Sequence, residues 1–255
     1  MATYRKARRG APRGFFRCEA AGLRWLAEAD AVPVVAVRDV GDDHLDLDAL
    51  TPVAPSRPAA TAFGSALARM HGAGASSFGA GPPGWAGDGF FGPLSDPLPM
   101  PAGDFERWGE FLATCRIEPV ARELSGRGID VPGLGRLSSA LRAGRYDDDE
   151  PPARLHGDLW SGNVMWTPAG VTLIDPAAHG GHRETDLAML ALFGLPFLDD
   201  VLRAYDESAP LRRGWRRRVA LHQVYPVGVH AVLFGGSYIR QLTDLLDRLV
   251  PTSRG

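Results

Sequence analysis

The sequence predicts an α+β fold with a small α/β lobe over residues 1–50 and a larger, mainly helical lobe over residues 52–255. Strand-like patterns are confined to the small lobe and to one short hairpin near residues 164–174, whereas most other segments show the spacing of amphipathic helices. The chain has 255 residues, 45% of them hydrophobic and 23% charged, which allows two lobes with a substantial core.

The predicted small lobe contains three strands and one helix. Residues 2–6 fit the end of a strand, and residues 15–30, FFRCEAAGLRWLAEAD, place apolar side chains at helical spacing. Further strands are predicted at residues 32–37, VPVVAV, which are rich in β-branched residues, and at residues 44–50, HLDLDAL, which alternate in polarity. The order of these elements predicts a mixed α/β lobe.

The predicted large lobe begins with a helix at residues 58–71 and continues with a loop, rich in Gly, Pro and Ser, over residues 72–103. A second helical pattern covers residues 103–126, with Asp104 as its predicted N-cap. A short helix is expected near residues 134–143, and the chain after the hairpin is predicted to be mostly helical.

The composition argues against several classes of partner and location. A formal net charge of -2 gives no reason to expect a nucleic acid or an anionic membrane as a partner. Cys18 and Cys115 form no C-x-x-C pair, which favours a reducing compartment. No apolar run approaches the roughly 20 residues that span a bilayer, and no signal segment follows the basic N-terminus. We therefore expect a cytoplasmic protein, whose oligomeric state the sequence leaves open.

Three oxygen-bearing side chains have a spacing that suits phosphoryl transfer. Asp158 is followed five residues later by Asn163, and Asp175 ends the apolar strand VTLI. A short H-G-D motif alone is more often a harmless turn, but the combination is far more specific. Phosphoryl transfer needs a proton acceptor and oxygen ligands for Mg²⁺, and the protein-kinase template supplies them as Asp, Asn and Asp in this order. The sequence therefore predicts a kinase-like site.

Three segments resemble the fructosamine/ketosamine kinase family, which belongs to the aminoglycoside-phosphotransferase-like kinases. They are LHGDLWSGNVMW, VTLIDPAAHGGHRETDLAMLALFG and YPVGVHAVLFGGSYIRQ, and the likeness runs from about residue 4 to residue 249. The resemblance implies a two-lobed, protein-kinase-like fold. It also implies that the protein uses ATP and Mg²⁺ to phosphorylate a sugar hydroxyl of a free or protein-bound ketosamine, a reaction of protein deglycation.

The resemblance assigns roles to the residues of the predicted site. Asp158 would be the catalytic base, and Asn163 and Asp175 would hold Mg²⁺ against the ATP phosphates. His156 would brace the catalytic loop. Trp160, beside the base, is equally compatible with packing on the substrate and with filling the loop.

The nucleotide-binding residues implied by the resemblance lie in the small lobe. Lys6 would pair with the α- and β-phosphates, and Glu19 would be its partner on the helix. Residues 47–51 would form the hinge between the lobes, and the backbone groups of Asp48, Ala49 and Leu50 in it would bind the adenine edge. The alternative for Lys6 is a solvated side chain within the basic run YRKARRGAPR.

Four further residues match family positions, but we expect them to have structural roles. Glu184 and Asp186 open a helix, and we predict that they hold the large lobe together. His71 and His230 are more economically interpreted as buried structural histidines. We therefore predict that none of the four is catalytic.

The sequence departs from the family pattern in two places. Lys6 lies five residues after Met1, which leaves no room for the two strands and the Gly-rich loop that precede this lysine in the family. From the length of two strands and a turn, about 25 to 30 residues are expected to be missing, and the chain is predicted to be a weak kinase. The second departure is at Ser95, Asp96 and Pro97, where the family usually has Gln or Asn near the sugar.

The residues leave two other interpretations open. The acceptor could instead be an aminoglycoside, choline or another sugar, since spacing alone supports only phosphoryl transfer. Alternatively, the absent Gly-rich loop would suit a pseudokinase that binds a ligand without turnover. The complete set of Asp158, Asn163 and Asp175 argues against the pseudokinase, because a binding module has no need of all three.

Overall fold

The computed structural model describes residues 2–251 and confirms the α+β class. Its N-terminal part is a three-stranded antiparallel sheet in the order β1 (Thr3–Ala7), β3 (His44–Asp48), β2 (Val37–Val40). Helix α1 (Phe15–Ala27) covers one face of this sheet, and its apolar stripe packs on the buried side chains of β3. Polar residues of the helix therefore lie next to strand β1.

The segment predicted as a strand at residues 32–37 contributes to another contact. Strand β2 begins only at Val37, after the segment that was predicted to be part of it. The backbone of this segment instead bonds to Leu173, whose N–H donates to Pro33 O at 2.8 Å and whose O accepts from Val35 N at 3.0 Å. These two bonds join the N-terminal sheet region to the larger part of the molecule.

The larger part consists mainly of helices around two apolar clusters. Its strands form three antiparallel pairs, which are β4 (Gly89–Phe91) with β5 (Leu98–Met100), β6 (Ala153–Leu155) with β9 (His179–Gly181), and β7 (Val164–Thr167) with β8 (Gly170–Leu173). The helices are α2 (Arg57–Gly72), α3 (Trp108–Leu112), α4 (Glu118–Gly126), α5 (Pro132–Arg142), α6 (Glu184–Phe193), α7 (Leu198–Ser208), α8 (Trp215–Phe234) and α9 (Ser237–Leu249). Between residues 2 and 251, none of the helices has the length and apolar character needed to cross a bilayer.

The structure corrects the prediction for residues 72–126 in two respects. The predicted loop contains the β4–β5 hairpin, which its many prolines and glycines conceal in the sequence. The predicted helix begins at Trp108 and not at Asp104, because Phe105 exchanges two backbone hydrogen bonds with Phe78, of 3.0 and 3.1 Å, and stays extended. Asp104 is therefore not an N-cap. A π-helical turn, Ala113–Ile117, then joins α3 to α4.

Candidate active site

The loop between β6 and β7 carries the predicted catalytic residues, and a glycine determines its path. Gly157 has a φ of 82°, a conformation that side-chain-bearing residues rarely adopt. A Cβ atom at this position would lie 2.1 Å from the carbonyl oxygen of Ala177. The loop can therefore approach the segment after β8 only because residue 157 is glycine. A 3₁₀ turn at Ser161–Asn163 then leads into β7.

Two buried acidic residues at the start of α6 stabilise this region, in agreement with the prediction for them. Glu184 pairs with Arg218, whose Nε donates to Oε2 at 2.8 Å. Asp186 accepts hydrogen bonds from the backbone N–H groups of His156 at 2.8 Å and Gly157 at 3.0 Å. Because both amides belong to the catalytic loop, Asp186 fixes the start of that loop.

Two buried histidines complete the support of the loop. His71 Nε2 lies 3.2 Å from Asp186 Oδ2, and the other ring nitrogen of His71 contacts the hydroxyl of Tyr205. Burial alone would raise the pKa of Asp186, but the hydrogen bonds from His71 and the His156 amide hold that pKa below its ordinary value. His156 Nε2 lies 2.9 Å from the carbonyl oxygen of Ile174, so the ring links the loop to the end of β8.

Asn163 connects the three predicted oxygen-bearing residues. Asn163 Nδ2 donates to the backbone oxygen of Asp158 at 2.8 Å, to Asp158 Oδ2 at 3.1 Å and to the backbone oxygen of Asp175 at 3.3 Å. Asp175 has a positive φ of 53°, so the backbone leaves the extended conformation of the strand at this residue. Asn163 is thus the residue that holds Asp158 and Asp175 side by side.

The environment of Asp158 favours a neutral carboxyl group in the free protein. Burial is the largest cause and raises the pKa of Asp158 to about 7, with a further contribution from the negative charges of Asp175 and Asp186. The hydrogen bond from Asn163 and the charge of Lys6 oppose this rise. A carboxyl group with this pKa is able to exchange a proton near neutral pH.

The same cluster contains oxygen atoms suited to a hard cation. Within residues 2–251, the amide oxygen of Asn163 receives no hydrogen bond, because the contacts of this side chain are made through Nδ2. The Asp175 side chain is 42% exposed and lies at the cavity wall. Mg²⁺ binds oxygen ligands, and the amide and carboxylate oxygens on these adjoining segments are ligands of this kind. The residues present therefore fit a magnesium ion.

Lys6 is not a solvated residue of a basic run. Its Nζ lies 2.8 Å from Glu19 Oε2 on α1 and 3.3 Å from Asp175 Oδ1. Burial lowers the pKa of Lys6, but the charges of Glu19 and Asp175 outweigh that effect and raise it. The ammonium group is therefore charged, and it connects the sheet, the helix and the residue that follows β8.

The predicted adenine-binding segment is only partly available to a ligand. The N–H of Asp48 donates to Ala36 O at 3.0 Å and the N–H of Ala49 to Ala2 O at 2.9 Å. The Asp48 carboxylate pairs with the Arg38 guanidinium. In residues 2–251 the N–H of Leu50 makes no hydrogen bond, so it is the amide of this segment that can bind a base edge.

The candidate site opens into a cavity of about 410 Å³ with two chemically different ends. One end is charged and contains Asp158, Asn163 and Asp175 together with the Lys6–Glu19 pair. The other end is apolar and is lined mainly by side chains of the β4–β5 region, α6 and α8, namely Phe90, Phe91, Leu94, Met100, Met189, Phe193, Val229, His230, Leu233 and Phe234. Asp48, Ala49 and Leu50 do not line this cavity, so its apolar end is a space distinct from the predicted adenine site.

The sequence analysis missed this apolar end. Phe90 and Phe91 lie within the segment predicted to be an irregular loop, and the residues from α8 look like ordinary core positions. His230 is half-buried and lines the cavity, so the prediction of a buried structural histidine is wrong. Trp160 is 39% exposed and also lines the cavity, with its ring edge-on to Phe193 at 5.9 Å. Aromatic side chains that stay exposed beside a catalytic loop are the signal that could have identified the residues of this apolar end.

The second departure from the family pattern lies outside the cavity. Ser95, Asp96 and Pro97 form the turn between β4 and β5, in which Asp96 N donates to Pro93 O at 2.9 Å. None of the three is among the described residues that line the cleft. Their side chains are therefore not part of the cavity wall.

These features define a class of protein. A lysine–glutamate pair on a small sheet and its helix, a loop with Asp and Asn, and a second Asp after the next hairpin form the catalytic set of protein-kinase-like phosphotransferases. A model of the family described as fructosamine kinase matches residues 3–252. The chain belongs to that family, and it is a phosphotransferase that acts on a hydroxyl group.

Known proteins agree with this assignment. A probable ketoamine kinase of Thermus thermophilus is 35% identical over 231 residues, which cover 91% of this chain and 81% of that protein. A candidate fructosamine-3-kinase from Thermobifida fusca has 45% identity and a TM-score of 0.88, with coverage of 98% of this chain and 86% of that chain. A ternary complex of an aminoglycoside phosphotransferase mutant with ADP and hygromycin B shares the fold alone, with 18% identity, a TM-score of 0.59 and coverage of 94% and 84%.

Proposed function

We propose that this protein transfers the γ-phosphoryl group of ATP to a sugar hydroxyl of a ketosamine. One observation carries the proposal: Asp158 accepts a hydrogen bond from Asn163 and lines the same cavity as Asp175 and a group of apolar side chains. A hydroxyl in that cavity would meet the carboxylate on one side and the phosphate donor on the other. This is the positioning that phosphoryl transfer requires.

The charged end of the cavity would bind the phosphates of the nucleotide. Lys6, oriented by Glu19, would contact the α- and β-phosphates there, whereas the Leu50 amide, which lies outside this cavity, would bind the adenine edge. Asn163 and Asp175 would hold Mg²⁺, which supplies charge neutralisation to the phosphates when it is bound. The aminoglycoside phosphotransferase of the same fold was solved in complex with ADP, which supports a nucleotide as the phosphoryl donor.

Asp158 would act as the catalytic base. Its Oδ2 accepts a hydrogen bond from Asn163, which fixes the carboxylate and leaves the other oxygen free to take the hydroxyl proton. Asp186 would contribute indirectly, since it positions the loop and does not line the cavity. We assign Asp186 as a positioning residue.

The apolar end suits the amine side of a ketosamine. The secondary amine of such an adduct is protonated at neutral pH, and a cation is attracted to the faces of aromatic rings. Trp160, Phe193 and His230 provide rings within contact of one another, with centroid distances of 5.9 and 5.2 Å along the series. In the cell this reaction would make the sugar adduct labile and thereby reverse glycation, which is the proposed biological role.

The same rings favour one alternative acceptor. Quaternary ammonium groups bind to aromatic clusters, so choline is the second candidate. A panel of a fructosamine, an aminoglycoside and choline, each with Mg-ATP, separates these possibilities by ADP release. Phosphorylation of choline alone would replace the ketosamine in the proposal, and ATP binding without phosphorylation of any acceptor would support the pseudokinase.

Substitution of Asp158 tests its proposed role as the catalytic base. We expect Asp158→Asn to lower kcat by about 10²- to 10⁴-fold while the KM for Mg-ATP changes little, because the variant keeps the shape and loses the proton acceptor. The matched control is Asp42→Asn, since that carboxylate is 88% exposed and pairs with Arg17 at the surface. Steady-state kinetics of both variants measure kcat and the KM for Mg-ATP. A variant Asp158→Asn that retains more than about a tenth of kcat would rule out the assigned base.

A further inference from the structure

The apolar end of the cleft continues outward into a band of aromatic rings. We call Phe193, His230, Phe234 and Tyr238 the aromatic lip. Their rings form a connected series, with centroid distances of 5.2 Å from Phe193 to His230, 5.6 Å from His230 to Phe234 and 5.0 Å from His230 to Tyr238. Phe193 is 38% exposed and Phe234 is 61% exposed. The lip therefore presents an apolar surface to solvent at the mouth of the site.

Charge is distributed unevenly along the cleft. Among the described residues that line the cavity, the Lys, Arg, Asp and Glu side chains are Lys6, Glu19, Asp158 and Asp175, and all four belong to the catalytic end. His230 keeps its Nδ1 in a hydrogen bond of 2.7 Å with the Pro226 carbonyl, so the ring offers only one nitrogen to a ligand. A carboxylate held at the lip would lose water without gaining a cationic partner there.

The order of the two ends fixes which part of an acceptor reaches the lip. The hydroxyl that receives the phosphoryl group must lie beside Asp158, and the amine follows it toward Trp160 and Phe193. The group attached to the far side of the amine is then carried outward to Phe234 and Tyr238. The lip is apolar, and its rigid rings lose little entropy when they are covered. An apolar group therefore gains binding free energy at the lip.

We propose that the aromatic lip is a binding subsite for the substituent on the acceptor's amine and that it selects apolar and aromatic amines over those bearing a carboxylate. The inference rests on the proposed function, since it assumes a ketosamine in the cleft. It adds the chemical class of the amine, which the catalytic residues do not determine. Glycated aromatic and alkyl amines are thus the preferred substrates, ahead of glycated acidic compounds of the same size.

Arg8, on the opposite wall of the cleft, would favour the opposite preference, for an amine that bears a carboxylate. Arg8 lies beside the β4–β5 turn, where its Nη1 contacts the carbonyl oxygen of Leu94, a residue that lines the cavity. An acceptor that leaned toward this wall would place a carboxylate near a guanidinium. A preference for the carboxylate-bearing acceptor that disappears in Arg8→Met would therefore overturn the proposal.

The test uses three acceptors with the same sugar and different amines. They are the fructosamines of benzylamine, of 4-(aminomethyl)benzoic acid and of methylamine, and the measurement is kcat/KM at saturating Mg-ATP. We expect the benzylamine adduct to exceed the other two by at least about tenfold, as one well-placed aromatic contact provides. Equal values for the benzylamine and methylamine adducts would overturn the proposal.

A pair of variants connects the preference to the lip. Phe234→Ser should reduce the benzylamine-to-methylamine ratio by at least about fivefold, because it removes the most exposed ring of the lip. Phe197→Ser is the matched control, since Phe197 is 37% exposed, packs beneath Arg57 and lies outside the cleft. An unchanged ratio in Phe234→Ser contradicts the subsite. Failure of all three fructosamines as acceptors would instead contradict the proposed function itself, and this inference with it.

Discussion

At the scale of single residues, Asp158 illustrates a conflict between folding and chemistry. Burial and the neighbouring carboxylates Asp175 and Asp186 disfavour its charged form, which the reaction requires. A raised pKa in the folded state means that the fold loses stability whenever this carboxyl group is ionised. The site accepts that loss because an ionised Asp158 is the group able to take a proton.

The conflict predicts a pH-dependent gain in stability for Asp158→Asn. The pKa of Asp158 is about 7 in the folded protein and about 4 in an unfolded chain, so its destabilising effect is full above pH 7. The effect declines as the pH falls from 7 to 4, because the folded protein then binds the proton. We expect the variant to be more stable by about 1–3 kcal/mol at pH 8 and by much less at pH 5. Thermal unfolding at both pH values measures this, and an equal difference at the two would contradict it.

At the scale of elements, the catalytic loop and the long helices could be predicted from sequence, whereas the cleft wall could not. The segment HGDLWSGN holds Asp158 and Asn163 only five residues apart, so their contact could be predicted locally. The path of the loop depends in addition on a later residue, since Gly157 packs against Ala177. Each strand of the β4–β5 hairpin has only three residues, and Pro99 lies in the second strand. Such short strands leave little local pattern in the sequence from which their pairing could be predicted.

Contacts distant in sequence explain the other differences. The extended conformation at Phe105 depends on Phe78, and the position of Val35 depends on Leu173. Neither partner can be identified from periodicity, which reports only on neighbours along the chain. His230 shows the same limit, because its helix has a spacing that fits a core and only the cleft beside it reveals another use.

The contact between α2 and α7 provides a matched pair of glycine substitutions. A Cβ atom at Gly64 would lie 2.2 Å from the Val201 carbonyl oxygen, whereas at Gly72, in the same helix, it would meet nothing within 4 Å. We expect Gly64→Ala to destabilise the protein by about 2–4 kcal/mol through separation of the helices. Gly72→Ala should stabilise it by about 0.5 kcal/mol through helix propensity. Denaturant unfolding of both variants is the measurement, and a neutral Gly64→Ala would show that the helices can separate without cost.

At the scale of the whole molecule, the site is assembled from segments distant in the chain. Lys6 comes from the first strand, Glu19 from the first helix, and Asp158 and Asp175 from two loops more than a hundred residues later. The boundary near residue 50 and the hinge at residues 47–51 stay predictions. A ligand that touches Lys6 and Asp175 together binds only the folded chain, which couples nucleotide binding to global stability.

This coupling predicts a thermal shift that depends on both nucleotide and metal. At a Mg-ATP concentration of about 100 times Kd, the protein should gain about 2.7 kcal/mol, which corresponds to a rise in Tm of roughly 5–10 °C for a chain of this size. ATP with a chelator should give a much smaller rise, and so should Asp175→Asn with Mg-ATP. Asp42→Asn, which changes an exposed carboxylate, should keep the full shift. An equal shift with and without Mg²⁺ would remove the metal from the proposal.

The backbone bonds of Leu173 to Pro33 and Val35 have a consequence for how ligands enter. Leu173 lies two residues before Asp175, so the strand that precedes the proposed metal-binding carboxylate is bonded to the segment that follows α1. Leu173 is fully buried and Val35 nearly so, which protects both bonds from exchange with water. A rocking motion that changed the angle between the two parts would have to break them. The cleft is therefore expected to admit substrates by rearranging side chains at its mouth, while the framework around it keeps its shape.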